Sequence, residues 1–217
     1  MKHYLFYSLY ALMITVFLFT VLLIDSNVYD KQLLLWLETT ISTSTQSLMG
    51  YFTKLGSGEV ILGLTFILMS LLFFTKQRMM SLLLGVIVFG GLALNLSLKL
   101  LFQRERPGEM RYIEAFGHTF EMASYSFPSG HTMRTVLLFA FIMYLSYLFI
   151  RNRSLRVITY SIAFLCIVLV ALSRMVLEAH YPSDIIAAIS ISIVWFTLCV
   201  QLYPHIIQLI KQTKALT

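Results

Sequence analysis

Residues 125–132 read YSFPSGHT and stand where a polar loop, residues 103–127, gives way to an apolar run, residues 132–150. Pro128 stops any preceding helix, Ser129 is a favoured N-cap residue, Gly130 gives the backbone room, and His131 opens the helix that follows. The first N–H groups of a helix lack partners and its dipole is positive there, so a phosphate or sulfate can dock on the amides of Gly130 and His131. An ordinary serine cap followed by an interfacial histidine accounts for this stretch equally well. The rest of the chain has to decide.

Outward from that stretch the chain is apolar. Of its 217 residues 59% are hydrophobic and 12% charged, with a mean hydropathy of +0.82, which is the composition of an integral membrane protein. Spans of about 20 residues leave room for roughly six helices with short connections. A single compact domain, residues 1–217, is expected. The net charge of +6 is no sign of nucleic acid, because the basic residues cluster in loops between apolar runs. Cys166 and Cys199 lie inside apolar runs, so neither a disulfide framework nor a zinc site is indicated.

Residues 4–24 read as a retained first span behind Lys2, with no small-residue cleavage site following. Residues 27–58 interleave Leu33, Leu34, Trp36, Leu37 and Ile41 with Lys31, Glu38 and a Ser/Thr-rich patch. That mixture predicts an interfacial amphipathic helix with Trp36 at headgroup level. Further spans are predicted at 59–74, 79–102, 132–150, 157–177 and 185–203. In this six-span topology the N-terminus, the turns 76–78 and 151–156 and the C-terminal tail share one side, with eight Lys/Arg and no acid, while all ten acids fall on the other. The positive-inside rule then makes both termini cytoplasmic and turns YSFPSGHT outward.

Two more clusters share that outer side. KLLFQRERP, residues 99–107, sets Lys99 and Arg106 seven residues apart. If the helix continues through both, they point the same way about 10 Å apart along its axis and can converge on one anion. The alternative is a snorkelling Lys99 and a solvated Arg106. SRMVLEAHYPSD, residues 173–184, puts Pro182 at the first position of the last span, Asp184 in its first turn and His180 just before it. An aspartate there can hold one nitrogen of the histidine and leave the other as base or nucleophile, or it can simply complement the helix dipole. Arg174 adds a further cation. Each ion held at the bilayer centre costs about 2.5–3.5 kcal/mol. A shared anionic ligand justifies keeping all of them at one depth.

Together the three stretches resemble the signature of the type 2 phosphatidic acid phosphatase (PAP2) superfamily: lysine, six residues, Arg-Pro; then Pro-Ser-Gly-His; then Ser-Arg, five residues, His, three residues, Asp. The match occupies 99–107, 128–131 and 173–184, with every signature residue in place. The six-span topology with an outward site is similar to bacterial lipid phosphatases of the phosphatidylglycerophosphate phosphatase B type. One departure is Glu178, where many relatives carry glycine; it bears on headgroup preference. The resemblance implies that His180 is the nucleophile, Asp184 its orienting partner and His131 the acid for the leaving oxygen. It implies that Lys99, Arg106, Arg174, Ser129 and the Gly130 amide hold the phosphoryl oxygens.

Three cations and helix-terminal amides can neutralise a phosphoryl group without a metal, so no cofactor is expected. The expectation is an all-α membrane bundle of six transmembrane helices with an interfacial helix after the first span. It would act as a metal-independent hydrolase on a lipid phosphate, phosphatidylglycerophosphate or a polyprenyl diphosphate such as undecaprenyl diphosphate, at the outer face of the plasma membrane. Residues 110–124, with Arg111, Glu114, His118 and Glu121, are the expected headgroup selector. The lipid and the bilayer are the partners, and no obligate protein partner is implied. The alternative is a transporter or channel that binds phosphorylated anions without hydrolysing them.

Overall fold

The computed structural model describes residues 11, 13–18, 28–107, 112–115, 118–123 and 125–216. The expected first span, 4–24, lies outside these apart from residue 11 and residues 13–18, which are helical. Then come α1 (Val28–Thr40), α2 (Thr43–Leu55), α3 (Gly58–Phe74), α4 (Arg78–Phe102), a hairpin of β1 (Tyr112–Ala115) and β2 (His118–Ala123), α5 (Gly130–Phe149), α6 (Arg153–Val176) and α7 (Pro182–Leu216). Among the described residues, five stretches are long and apolar enough to cross a bilayer: Thr43–Phe74, Arg78–Phe102, Gly130–Phe149, Arg153–Val176 and Pro182–His205. At 1.5 Å per residue, α4 reaches about 37 Å, more than the hydrocarbon thickness.

The helices begin and end where side chains can satisfy the backbone. Ser42, Ser57 and Asn152 cap α2, α3 and α6 by accepting from Thr45, Val60 and Leu155 N–H at 3.3, 3.3 and 3.1 Å. After α3, Lys76 takes φ 65 and the Gln77 N–H returns to the Leu72 carbonyl at 2.8 Å, which turns the chain into α4. The predicted interfacial segment is two helices, parted at Ile41–Ser42. The stretch leading into the second span begins at Thr43 instead of residue 59. The loop after α4 carries an antiparallel hairpin pairing Ile113 with Phe120 and Ala115 with His118, with an irregularity between Tyr112 and Ile113.

The core lies between α3, α4, α5 and α7, where Ile61, Leu84, Ile87, Val88, Leu138 and Phe141 are fully buried. In lipid, apolar burial between helices gains little over lipid contact, so close packing carries the association. Gly90 and Gly91 permit it: a Cβ on Gly90 would lie 2.5 Å from Trp195 Cζ2, and one on Gly91 2.1 Å from Leu137 Cδ1. The Trp195 indole N–H donates to the Ile87 carbonyl at 3.0 Å and ties α7 to α4. On the outside, Phe66, Ile67 and Phe74 of α3 and Ile162, Phe164 and Leu165 of α6 are exposed, which a bilayer accommodates and water would not.

This packing leaves one end of the bundle, made by the last turn of α4, the first of α5, the last of α6 and the first of α7, as the meeting place of the three sequence clusters. Helices α1 and α2 pack on the same end, α1 against α6 and α7, α2 against α6. The basic turns 76–78 and 151–156 stand at the opposite end.

Candidate active site

A chain reversal after α6 delivers the central histidine. The Glu178 N–H donates to the Met175 carbonyl at 2.9 Å, and the N–H groups of Ala179 and His180 share the Arg174 carbonyl at 3.0 and 3.2 Å. Glu178 sits at φ 48, in the left-handed region that favours glycine and costs a residue with a Cβ about 1 kcal/mol. Glu178, the departure noted in the sequence, therefore holds a strained backbone. It lines a cavity of about 250 Å³ with Lys31 and Glu38 of α1, Pro107 and Tyr181.

The chain then enters α7. Pro182 takes the first helical position, where its missing N–H costs nothing. Asp184, two residues later, accepts the Tyr181 N–H at 2.8 Å through Oδ2, so the carboxylate caps its own helix. The same oxygen lies 3.5 Å from His180 Nδ1. Dipole complement and histidine partner, the two roles weighed for Asp184, are thus compatible in one geometry.

Ser126 fixes the proton on that histidine. Its hydroxyl donates to Asp184 Oδ2 and also lies 3.3 Å from His180 Nδ1. With its only hydrogen on the carboxylate, the Ser126 oxygen accepts from the imidazole, so Nδ1 carries the proton and Nε2 keeps its lone pair. Burial, then the positive charges of Arg106, Lys99 and Arg174, hold the His180 imidazole well below its ordinary value. It is a neutral, fully buried base facing cations.

Those cations reach the site from three elements. Lys99, one turn from the end of α4, donates to the Tyr125 carbonyl. Arg106 Nη1 donates to the Ala179 carbonyl beside His180 at 2.8 Å, and Arg174 Nη1 to Thr53 Oγ1 of α2 at 2.7 Å. Helix α4 stops at Phe102, where the span was predicted to end, so the condition on which Lys99 and Arg106 would share a helix face is not met. Its C-cap Gln103 takes φ 45, with its N–H on the Lys99 carbonyl at 3.0 Å, and Arg106 arrives from the loop.

The PSGH stretch packs against this loop. The Ser129 N–H donates to the Asp184 carbonyl at 3.2 Å, and Asn95 Nδ2 to the Pro128 carbonyl at 3.2 Å. Ser129 occupies the N-cap position, but its buried hydroxyl meets Thr132 Oγ1 at 3.0 Å instead of capping the helix. Gly130 opens α5, and a Cβ there would lie 3.1 Å from Asn95 Oδ1 and 3.5 Å from Arg134 Nη1. His131, half-buried, has Nδ1 3.4 Å from Arg134 Nη2, whose guanidinium also donates to the Gly56 carbonyl at 3.2 Å. A guanidinium can only donate, so His131 Nδ1 accepts and Nε2 bears the hydrogen.

Behind Asp184 lies a network the motifs do not announce. Arg104 Nη1 reaches Asp184 Oδ1 at 2.5 Å and Ser183 Oγ at 2.7 Å, and its Nη2 reaches Asp30 Oδ2 at 2.8 Å. Asp30, on the first turn of α1, accepts the Ser183 N–H at 3.0 Å and the Ser183 hydroxyl. The Tyr181 ring covers the guanidinium at 4.3 Å. All four polar members are buried. Arg104 stands in the quoted KLLFQRERP run, so its position was in view; Asp30 carries no local signal beyond an acid in the first turn of an amphipathic helix. Of the expected headgroup selector, Arg111 lies outside the described residues, and Glu114, His118 and Glu121 are described only as backbone of the hairpin.

The sequence pattern of the PAP2 superfamily matches residues 79–208, more than half of the chain. Phosphatidylglycerophosphatase B of Bacillus subtilis (strain 168) is 31% identical over 149 residues, covering 67% of this chain and 69% of that protein. A lipid A 1-phosphatase of Rhizobium johnstonii is 35% identical over 119 residues, covering 52% of this chain and 42% of that protein. The crystal structure of the transmembrane PAP2 type phosphatidylglycerolphosphate phosphatase from Bacillus subtilis has the same fold, with a TM-score of 0.73 at 23% identity over 89% of this chain and 96% of that one. A matched family pattern spanning the last four helices, whose ends carry the two histidines and the cations around them, makes this chain a member of the PAP2 superfamily.

Proposed function

We propose that this protein is a lipid phosphatase that removes a terminal phosphate from a membrane-embedded phosphate or diphosphate ester through a phosphohistidine intermediate. The observation that carries this is the His180–Asp184 pair: a buried imidazole with its proton on Nδ1, its lone pair on Nε2 and three cations around it. Nε2 attacks phosphorus in line as the bond to the lipid oxygen breaks, and His131, taking the imidazolium form when the substrate dianion is bound, gives that oxygen the proton it needs from Nε2 and is left neutral. The imidazole gains positive charge as the P–N bond forms, and Asp184, near its Nδ1–H, stabilises that charge. Lys99, Arg106, Arg174 and the first amides of α5 neutralise the equatorial oxygens. Water then attacks the phosphohistidine, releases inorganic phosphate and returns the proton to His131. Binding for transport needs the charges but not an oriented lone pair, which favours hydrolysis over passage.

Phosphatidylglycerophosphate and polyprenyl diphosphates are the substrate classes proposed, since each presents an apolar tail to the bilayer and a phosphate to its rim. The end of the bundle that carries the site is assigned to the outer face and both termini to the cytoplasm, from the basic turns 76–78 and 151–156 at the other end. Purified protein assayed for phosphate release against a panel of lipid mono- and diphosphates tests the activity. Turnover of at least one class is expected; binding of the panel without any release would refute it. Cysteine probes test the topology: one at residue 114 should label in intact cells and one at residue 152 only after permeabilisation, and the reverse pattern would invert it.

A further inference from the structure

We infer that Arg104, clamped by Asp30, is a positioning residue that fixes the Asp184 carboxylate against His180 and thereby makes helix α1 part of the active-site framework. The inference rests on the proposed roles of His180 and Asp184. The two oxygens of Asp184 divide their work. Oδ2 takes the Tyr181 N–H and the Ser126 hydroxyl and faces His180, while Oδ1 is held by Arg104 at 2.5 Å. Rotation of the carboxylate that would take Oδ2 away from the imidazole must break the Arg104 bond.

The guanidinium is held from its other side as well. Its Nη2 is on Asp30 at 2.8 Å, and Asp30 in turn grips the backbone and side chain of Ser183, the residue before Asp184. One planar fork thus bridges two buried carboxylates, a task that needs two donors in fixed geometry and that a single ammonium cannot match. Arg104 differs in this from Lys99, Arg106 and Arg174, whose charges bear on His180. Asp30 comes from α1, whose Leu33, Leu35 and Trp36 are exposed. The helix that offers an apolar face to the bilayer surface is therefore bonded through two ion pairs to the partner of the proposed nucleophile.

A buried ion network can also be mere scaffolding, so the test is whether Arg104 acts through Asp184. Full-length protein in lipid nanodiscs is assayed with the lipid phosphate that turns over fastest in the panel above. Arg104→Met, Arg104→Lys and Asp30→Asn are each made alone and together with Asp184→Asn. Alone, Arg104→Met should lower kcat by about 10²-fold with KM changed less than about threefold, and Arg104→Lys should recover part of the loss. With Asp184→Asn already present, the same changes should cost less than about threefold, because the group they position is gone. Should Arg104→Met fail to fold, Asp30→Asn, which keeps its volume and the Arg104–Asp184 pair, carries the same comparison. Fold-losses that multiply equally in both backgrounds, or a raised KM with kcat intact, would overturn the inference while leaving the phosphatase reading standing. Full activity of Asp184→Asn by itself would overturn the proposed roles, and the inference with them.

Discussion

Gly56→Ala is expected to impair the site although Gly56 itself holds no phosphate oxygen and moves no proton. Gly56 ends α2 where it turns into α3, and a Cβ there would lie 2.6 Å from Val170 Cγ1, 2.9 Å from Thr135 Oγ1 and 3.3 Å from His131 Cβ. An ordinary contact between carbon atoms is about 3.5–4.0 Å, so the new methyl needs roughly 1 Å of movement. Neither neighbour can supply it cheaply. Val170 is fully buried with a stiff β-branched side chain, and the Thr135 hydroxyl is bonded to the His131 carbonyl at 2.8 Å. The corner must shift instead. It would carry with it the Gly56 carbonyl that accepts from Arg134 and, one turn back, the Thr53 hydroxyl that accepts from Arg174. Overpacking of this kind costs about 1–3 kcal/mol, and a 1 Å misplacement in an active site costs about 10²-fold in rate. Lipid phosphate hydrolysis should therefore fall by roughly 10–100-fold, mainly in kcat, with a measurable loss in thermal stability. Val170→Ala removes the nearest clash, so Gly56→Ala with Val170→Ala should regain part of both. Gly56→Ala with wild-type kcat, or a double variant no better than the single, would show that the corner is not as tightly seated as these distances require.

Two further outcomes are expected. Because the phosphate is held by Lys99, Arg106 and Arg174, activity should survive excess EDTA; abolition by the chelator with rescue by Mg²⁺ would assign the anion-holding role to the wrong groups. Because the folded protein holds the His180 imidazole below its ordinary value, the base stays unprotonated as pH falls through about 6.5, and the acid limb of kcat/KM from His180 should lie below that pH. A bound phosphate dianion offsets the cations, so the acid limb of kcat should sit at higher pH than that of kcat/KM; coincident limbs near 6.5 would mean that the histidine is neither buried nor faced by those charges.

Much of this was legible where the physics is local. Pro128 and Pro182 punctuate the backbone at the starts of α5 and α7, and the apolar runs mark the later spans by length alone. The three motifs carry the residues that gather at one end because α4 to α7 alternate in direction, as successive spans of one bilayer do. What escaped depends on tertiary contacts. Nothing within KLLFQRERP signals that Gln103 turns into the left-handed region, so whether Lys99 and Arg106 shared a helix face stayed open. Asp30 meets Arg104 across 74 residues, and an acid on an amphipathic helix reads as a solvated charge until that partner is seen. Thr53 and Gly56 look like ordinary polar and small residues at a membrane surface; their importance comes from Arg174, Arg134 and the crowding of Val170. The hairpin is a different matter. Its strands hold Tyr112, Ile113, Thr119 and Phe120, β-formers whose signal the polarity of the loop masked.

The most direct test of the central claim is single-turnover reaction with ³²P-labelled lipid phosphate, quenched in alkali to preserve phosphohistidine, on wild type, His180→Ala and His131→Ala. Wild type should accumulate and discharge label on His180, and His180→Ala should carry none and turn nothing over. His131→Ala should still form the intermediate but slowly, about 10²- to 10⁴-fold down with an alkyl leaving group and much less with an acidic phenol. Label on the His180→Ala protein, or a His131→Ala defect of the same size for every leaving group, would contradict the assignment of nucleophile and acid.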